Sequence, residues 1–191
     1  MIIIIFFCFF LFIINFEAKA QLDTLFWFVA PEVAQSHGDR PIVFRFATLN
    51  QAATITVSQP ANPLFPTQVL NLVANDAQTL NLTAWIDQIE NKPANTILPY
   101  GFQISASAPI MAYYEVTPTC NCNPDIFALK GKNSLGTSFI VPAQNFLNNA
   151  SYARSGFNIV ATQNNTVVTI NPKQAMAPNS EINHWERNLG R

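Results

Sequence analysis

The side chains able to do chemistry are few. The 191-residue chain has two histidines, His37 and His184. His37 stands in Ser36-His37-Gly38-Asp39-Arg40, where nucleophile, base and orienting carboxylate types occur together. A hydrolytic triad draws those groups from separated elements, and no Gly-x-Ser-x-Gly elbow accompanies them. The same residues read more simply as a polar turn, with Gly38 supplying backbone freedom and Arg40 available to pair with Asp39. His184 lies in a polar tail and suggests no chemistry. Asn121, Asn123 and Asp125, with Glu115 nearby, place oxygen ligands at every second position. A calcium loop carries more carboxylates and a glycine at its turn, so the expectation is loop capping without metal.

Cys120 and Cys122 flank Asn121. Two residues along an extended strand span about 6.6 Å, near the upper limit for a disulfide, so a bridge requires a turn at Asn121, which Pro124 favours. The alternatives are two external partners, or a metal that would need ligands only His37 and His184 could add. Lys130-Gly131-Lys132 reads as a solvated basic turn able to touch an anionic glycan. Trp27, Trp85, Tyr100, Tyr113 and Tyr114 either fill the space between sheets or stack on a ligand from one sheet face. Asn81-Leu82-Thr83, Asn149-Ala150-Ser151 and Asn164-Asn165-Thr166 are N-glycosylation sequons, meaningful only in a host that modifies them. No catalytic residue, cofactor or metal is expected.

These residues must be positioned by a folded, exported chain. Met1 to Ala20 has the form of a signal peptide: an apolar run from Ile2 to Ile14, too short to span a bilayer comfortably, then Ala18-Lys19-Ala20 with small residues where signal peptidase reads. Cleavage is expected before Gln21, and Cys8 leaves with the leader. No Lys or Arg precedes the apolar run, so an uncleaved anchor is the alternative, and membrane contact would come through that segment alone. A composition 49% hydrophobic and 11% charged, with net charge -1, is that of a folded domain without the basic stripe that nucleic acid requires.

Runs rich in β-branched and aromatic residues, punctuated by Pro, Gly and Asn, predict strands at Leu25-Ala30, Ile42-Thr48, Thr54-Ser58, Gly101-Ser107, Ile110-Val116, Ser138-Val141, Phe157-Thr162 and Thr166-Ile170. Thr54 to Ser58 alternates so that Ile55 and Val57 share a buried face and three hydroxyls the other. One short helix is expected over Thr83 to Glu90, capped by Thr83, with Trp85, Ile86 and Ile89 on one face. The stretches Phe46 to Val57 and Val160 to Ile170 both read as hairpins around Asn-centred turns. Their likeness fits either a duplicated β-unit or convergence on a common hairpin.

The ordered series Phe26-Trp27-Phe28-Val29-Ala30-Pro31-Glu32, His37-Gly38-Asp39-Arg40-Pro41, Ala108-Pro109-Ile110-Met111-Ala112-Tyr113-Tyr114 and Leu135-Gly136-Thr137-Ser138-Phe139-Ile140-Val141-Pro142 resembles the N-terminal domain of IgGFc-binding-type proteins. Cys120-Asn121-Cys122-Asn123-Pro124-Asp125-Ile126-Phe127 narrows the likeness to the form found at the start of large surface proteins of gliding bacteria. The resemblance covers Leu25 to Pro172 and implies a β-sandwich-like adhesive or ligand-binding module without an active site. The organisation expected is a signal peptide over 1–20, an all-β, sandwich-like domain over 21–172, and a linker or truncated continuation over 173–191. The expected function is a non-enzymatic surface module for an extracellular protein or glycan. Its rivals are a carbohydrate-binding module, which predicts a row of exposed aromatics, and a secreted hydrolase, which predicts His37 meeting a distant serine and carboxylate.

Overall fold

In the computed structural model, the residues described are 21–32, 41–117, 124–142, 156–171 and the strand at 185–189. They form an all-β protein with one short helical segment. The strands are β1 (Asp23–Phe28), β2 (Ile42–Thr48), β3 (Ala53–Ser58), β4 (Gln68–Leu72), β5 (Ala77–Asn81), β6 (Phe102–Val116), β7 (Asp125–Ala128), β8 (Thr166–Ile170) and β9 (Trp185–Leu189). β8 and β9 pair with each other, and the other seven form one antiparallel sheet. The linker-or-continuation stretch thus contains a strand, β9.

β6 organises the sheet. Its N-terminal half pairs with β1 and with β3, which in turn pairs with β4. Its C-terminal half pairs with β7 and with β2, which in turn pairs with β5. Each half is therefore a four-stranded layer, and the layers share β6. Phe102 and Tyr114 would stand about 40 Å apart on a straight strand. Yet Phe28, which pairs with Phe102, has its ring 4.6 Å from that of Tyr114, and Phe44, which pairs with Tyr114, lies 5.1 Å from Phe102. The sheet must fold over on itself.

The fold-over has a local cause. β1 advances only from Asp23 to Leu25 while β6 advances from Ile110 to Ser105, an irregularity that bends the strand. Pro109 lies inside it and has no N–H to give to a ladder. At the same level β2 gives way to β3, and β4 to β5. The even-numbered residues of β6 face inward throughout, with Phe102, Ile104, Ile110 and Tyr114 fully buried. Phe26, Phe44, Phe46, Ile55 and Val57 meet them from the neighbouring strands. The result is a sandwich-like, nearly closed barrel around one aromatic-rich core.

The helical segment closes one end of this core. It is a 3-10 turn at Thr83–Trp85 continued by α1 (Ile86–Ile89), with Ile86 and Ile89 buried. Thr83 does not cap it. Its hydroxyl instead accepts the Ile42 amide at 3.0 Å, and Asn81 Oδ1 accepts the Thr83 amide at 2.9 Å. Holding β2 outweighs capping because that amide belongs to the first residue of a core strand.

Several strand expectations change. The two runs from 101 to 116 are one continuous strand, because the break at Ala108-Pro109 bends the ladder without ending it. The first hairpin does not form. β2 and β3 follow one another along β6, and Thr48 Oγ1 donates to the Val73 carbonyl at 2.6 Å and accepts the Asp76 amide at 3.0 Å, fixing the interruption between them. The second also differs, since β8 pairs with β9 and not with 157–162. The duplicated-unit reading thus has no counterpart here: the two layers are halves of one folded sheet. Residues 138–141 are exposed and, among the described residues, unpaired, so they lack the ladder a strand needs.

Candidate functional site

The residues first singled out for chemistry fall largely outside the described structure. Ser36, His37, Asp39, Arg40, Cys120, Asn121, Cys122, Asn123 and His184 all lie in undescribed stretches, so no geometry is assigned to them. Asp125 opens β7 and accepts the Ile126 amide at 2.9 Å. The Glu115 carboxylate is engaged by Arg45 Nε across β2 and β6, and Arg45 also reaches Thr79 Oγ1 at 3.2 Å. Glu115 thus faces a guanidinium. Among the described residues, no group of three or more His, Cys, Asp or Glu could hold a metal ion.

Lys130-Gly131-Lys132 is more than a solvated turn. Gly131 is buried, with φ +55°, and it packs on Asp23 of β1. One Asp23 carboxylate oxygen accepts the Lys132 amide at 2.7 Å, and the other accepts the Thr24 amide at 2.7 Å with Lys132 Nζ at 3.5 Å. Burial acts to raise the Asp23 carboxyl, but these hydrogen bonds and the Lys132 charge outweigh it and hold the group below its ordinary value. The result is a polar clip between the segment after β7 and the first strand.

Tyr114 is fully buried among Phe28, Phe44 and Phe127, and among the described residues its hydroxyl has no hydrogen-bond partner. Burial, and secondarily the charge of Glu90, push this phenol well above its ordinary range. It belongs to the core. Trp85 packs edge-on against Phe65, with centroids 5.6 Å apart. Trp27, Tyr100 and Tyr113 are half-buried, so the five singled-out aromatics do not make a row of exposed rings. Asn81 and Asn164, each first in a sequon, are exposed.

One concavity is a cleft where the segment 159–163 lies against the end of the first layer. Trp27, Asn91, Ile97, Leu98, Thr162 and Gln163 are among its lining residues. Gly101 is also in the lining, where an added Cβ would stand 2.9 Å from the Val160 side chain, so glycine lets the two segments approach this closely. The lining contains no acidic, basic, cysteine or tyrosine side chain. It offers apolar surface, amides and threonine hydroxyls, which suit binding and supply neither general acid nor general base. Sequence reasoning missed this cleft because its parts are an unremarkable loop, 96–101, and a run read as a strand. The glycine directly before β6 was its one local signal.

Among solved structures, the chain is similar to "Crystal Structure of Thermotoga maritima 1070" at 10% identity, over 56% of this chain and 96% of that one, with a TM-score of 0.36. No curated protein matches it. Residues 125–188 match the family model described as IgGFc binding protein, so the likeness first carried by the ordered motifs holds for the part of the chain that begins at β7 and includes β8 and the 159–163 wall of the cleft.

Proposed function

We propose that this chain is an exported, non-enzymatic ligand-binding module of a surface protein. The observation that carries the reading is the cleft, assembled partly from the IgGFc binding protein match and lined without titratable groups. In this reading Met1 to Ala20 is removed before Gln21, residues 21–172 fold as the binding domain, and 173–191 lead toward further parts of a larger protein. The setting is the bacterial surface that the motif order suggests. No helix among the described residues is long and apolar enough to cross a membrane.

The test is an array of extracellular proteins, including antibody Fc, and of glycans, probed with the full chain beside an ester and peptide hydrolysis screen. Saturable binding without turnover is expected, weakened by Ile97→Asp in the cleft wall. Turnover abolished by His37→Ala would overturn the reading, and so would silence on the whole array.

A further inference from the structure

Trp27 belongs to a second surface besides the cleft. In β1 the inward residues are Phe26 and Phe28, so Trp27 points outward, beside Gln103, which in turn pairs with Ser58. In the next row Ser105 stands between Leu25 and Thr56, and Thr56 pairs with Val69. In the third, Thr54 Oγ1 donates to Asn71 Oδ1 at 2.8 Å, and the Thr54 amide donates to Ser107 Oγ at 2.9 Å. Ser105, Ser107, Thr54 and Asn71 are exposed. The outward positions of these three rows are therefore Ser, Thr, Asn and Gln with three apolar side chains and no charge; the charged Asp23, at the start of β1, is paired with Lys132 beyond them. The other layer's outer face is different in kind, since the Arg45–Glu115 ion pair crosses it.

We infer that the first layer's outer face, continuous at Trp27 with the uncharged cleft, binds a neutral polysaccharide chain; this rests on the binding-module reading above. Hydroxyls and amides each donate and accept, which matches a ligand made of hydroxyls and ether oxygens. They stand on paired strands, so little side-chain and backbone freedom is lost on binding. The indole offers the apolar face on which the C–H side of a sugar ring can rest. Anionic glycans and nucleic acid require cationic partners, and the three rows have none, while Lys132, beside the start of β1, is already paired with Asp23. A protein partner would need an apolar centre that sheds water, where this face places rows of hydroxyls.

The test is affinity electrophoresis of the full chain through gels containing laminarin, galactomannan or dextran, with alginate and heparin as charged probes. Retardation by at least one neutral polysaccharide is expected, changing less than about two-fold between low and high salt because no ion pairs are involved. Trp27→Ala should weaken it about ten-fold, the scale of a Trp hot-spot loss. Ser105→Lys, an exposed change with little effect on folding, should weaken it comparably, whereas Arg45→Ala on the opposite layer should leave it unchanged. No retardation by any neutral polysaccharide, retention by alginate or heparin alone, or parental affinity in both Trp27→Ala and Ser105→Lys would overturn the inference. If proteins on the array are bound while neutral polysaccharides are not, this inference falls and the binding-module reading stands. If neither binds, both fall.

Discussion

Gly131→Ala tests whether the clip between the post-β7 segment and β1 is structural. Gly131 has φ +55°, a conformation costing an L-residue about 1–2 kcal/mol. The added methyl would also stand 2.8 Å from Asp23 Cγ and 2.5 Å from Oδ2. That carboxylate cannot retreat freely, because it accepts the Lys132 amide at 2.7 Å and the Thr24 amide at 2.7 Å. Losing one charge-assisted bond adds about 1.5–3 kcal/mol, so the expected total is about 3–4 kcal/mol, a large share of a domain's stability. Urea denaturation followed by tryptophan fluorescence reads this as a lower midpoint at unchanged slope. In an Asp23→Gly background both the Asp23 Cβ that the methyl would overlap and the carboxylate are gone, and the Gly131 substitution should cost only its conformational part, about 1–2 kcal/mol. A cost below about 1 kcal/mol in the parent, or an equal cost in both backgrounds, would refute the reasoning.

Four further outcomes follow from the contacts described above. Asp23 is held below its ordinary value, so its contribution is present above the unfolded carboxyl pKa of about 3.9 and is lost as pH falls through the lower folded value; Asp23→Asn should flatten the acid limb of a stability-versus-pH curve measured by thermal melts. Tyr114→Phe removes a buried hydroxyl with no partner among the described residues and should be neutral or stabilising by about 1 kcal/mol, whereas Tyr114→Ala should cost about 3–5 kcal/mol in denaturant melts. Because the Tyr114 phenol is raised, the unfolded chain loses its proton first, stability falls above about pH 10, and Tyr114→Phe should reduce that fall. The Arg45–Glu115 pair is partly exposed, so Glu115→Gln should change stability by no more than about 1 kcal/mol.

Legibility in the sequence followed the physics of burial. β2 and β8 have the bounds their β-branched and aromatic runs predict, and Ile55 and Val57 turn inward as the alternation requires. β4, β5 and β7 were missed because they are short edge strands, mixed in polarity, whose pairing partner decides their conformation more than their own residues do. The reverse error arose at 138–141, where strong strand propensity finds no ladder. The clip could not be read locally either. Asp23 and Lys132 are far apart in the chain, and only the pairing of β1 and β7 along β6 brings them together.

That sharing of β6 also bears on where a ligand can bind. Because one strand serves both layers, every inward residue of β6 is committed to a single core, and its outward residues divide at the bend into Gln103, Ser105 and Ser107 on one layer and Tyr113 and Glu115 on the other. Glu115 meets Arg45, so these two charges of the second layer neutralise each other within the sheet. On the first layer the Asp23–Lys132 pair stands at the start of β1, and the rows of hydroxyls and amides beyond it make an uncharged surface on paired strands that runs to Trp27 and the cleft. The Gly101–Val160 approach then joins the IgGFc binding protein match to this surface. A bulky residue at Gly101 would push that wall of the cleft away while leaving the rows of the outer face in place. Gly101→Val should therefore weaken ligands that need the cleft more than ligands held by the face alone, and comparing it with Ser105→Lys on one polysaccharide separates the two contributions.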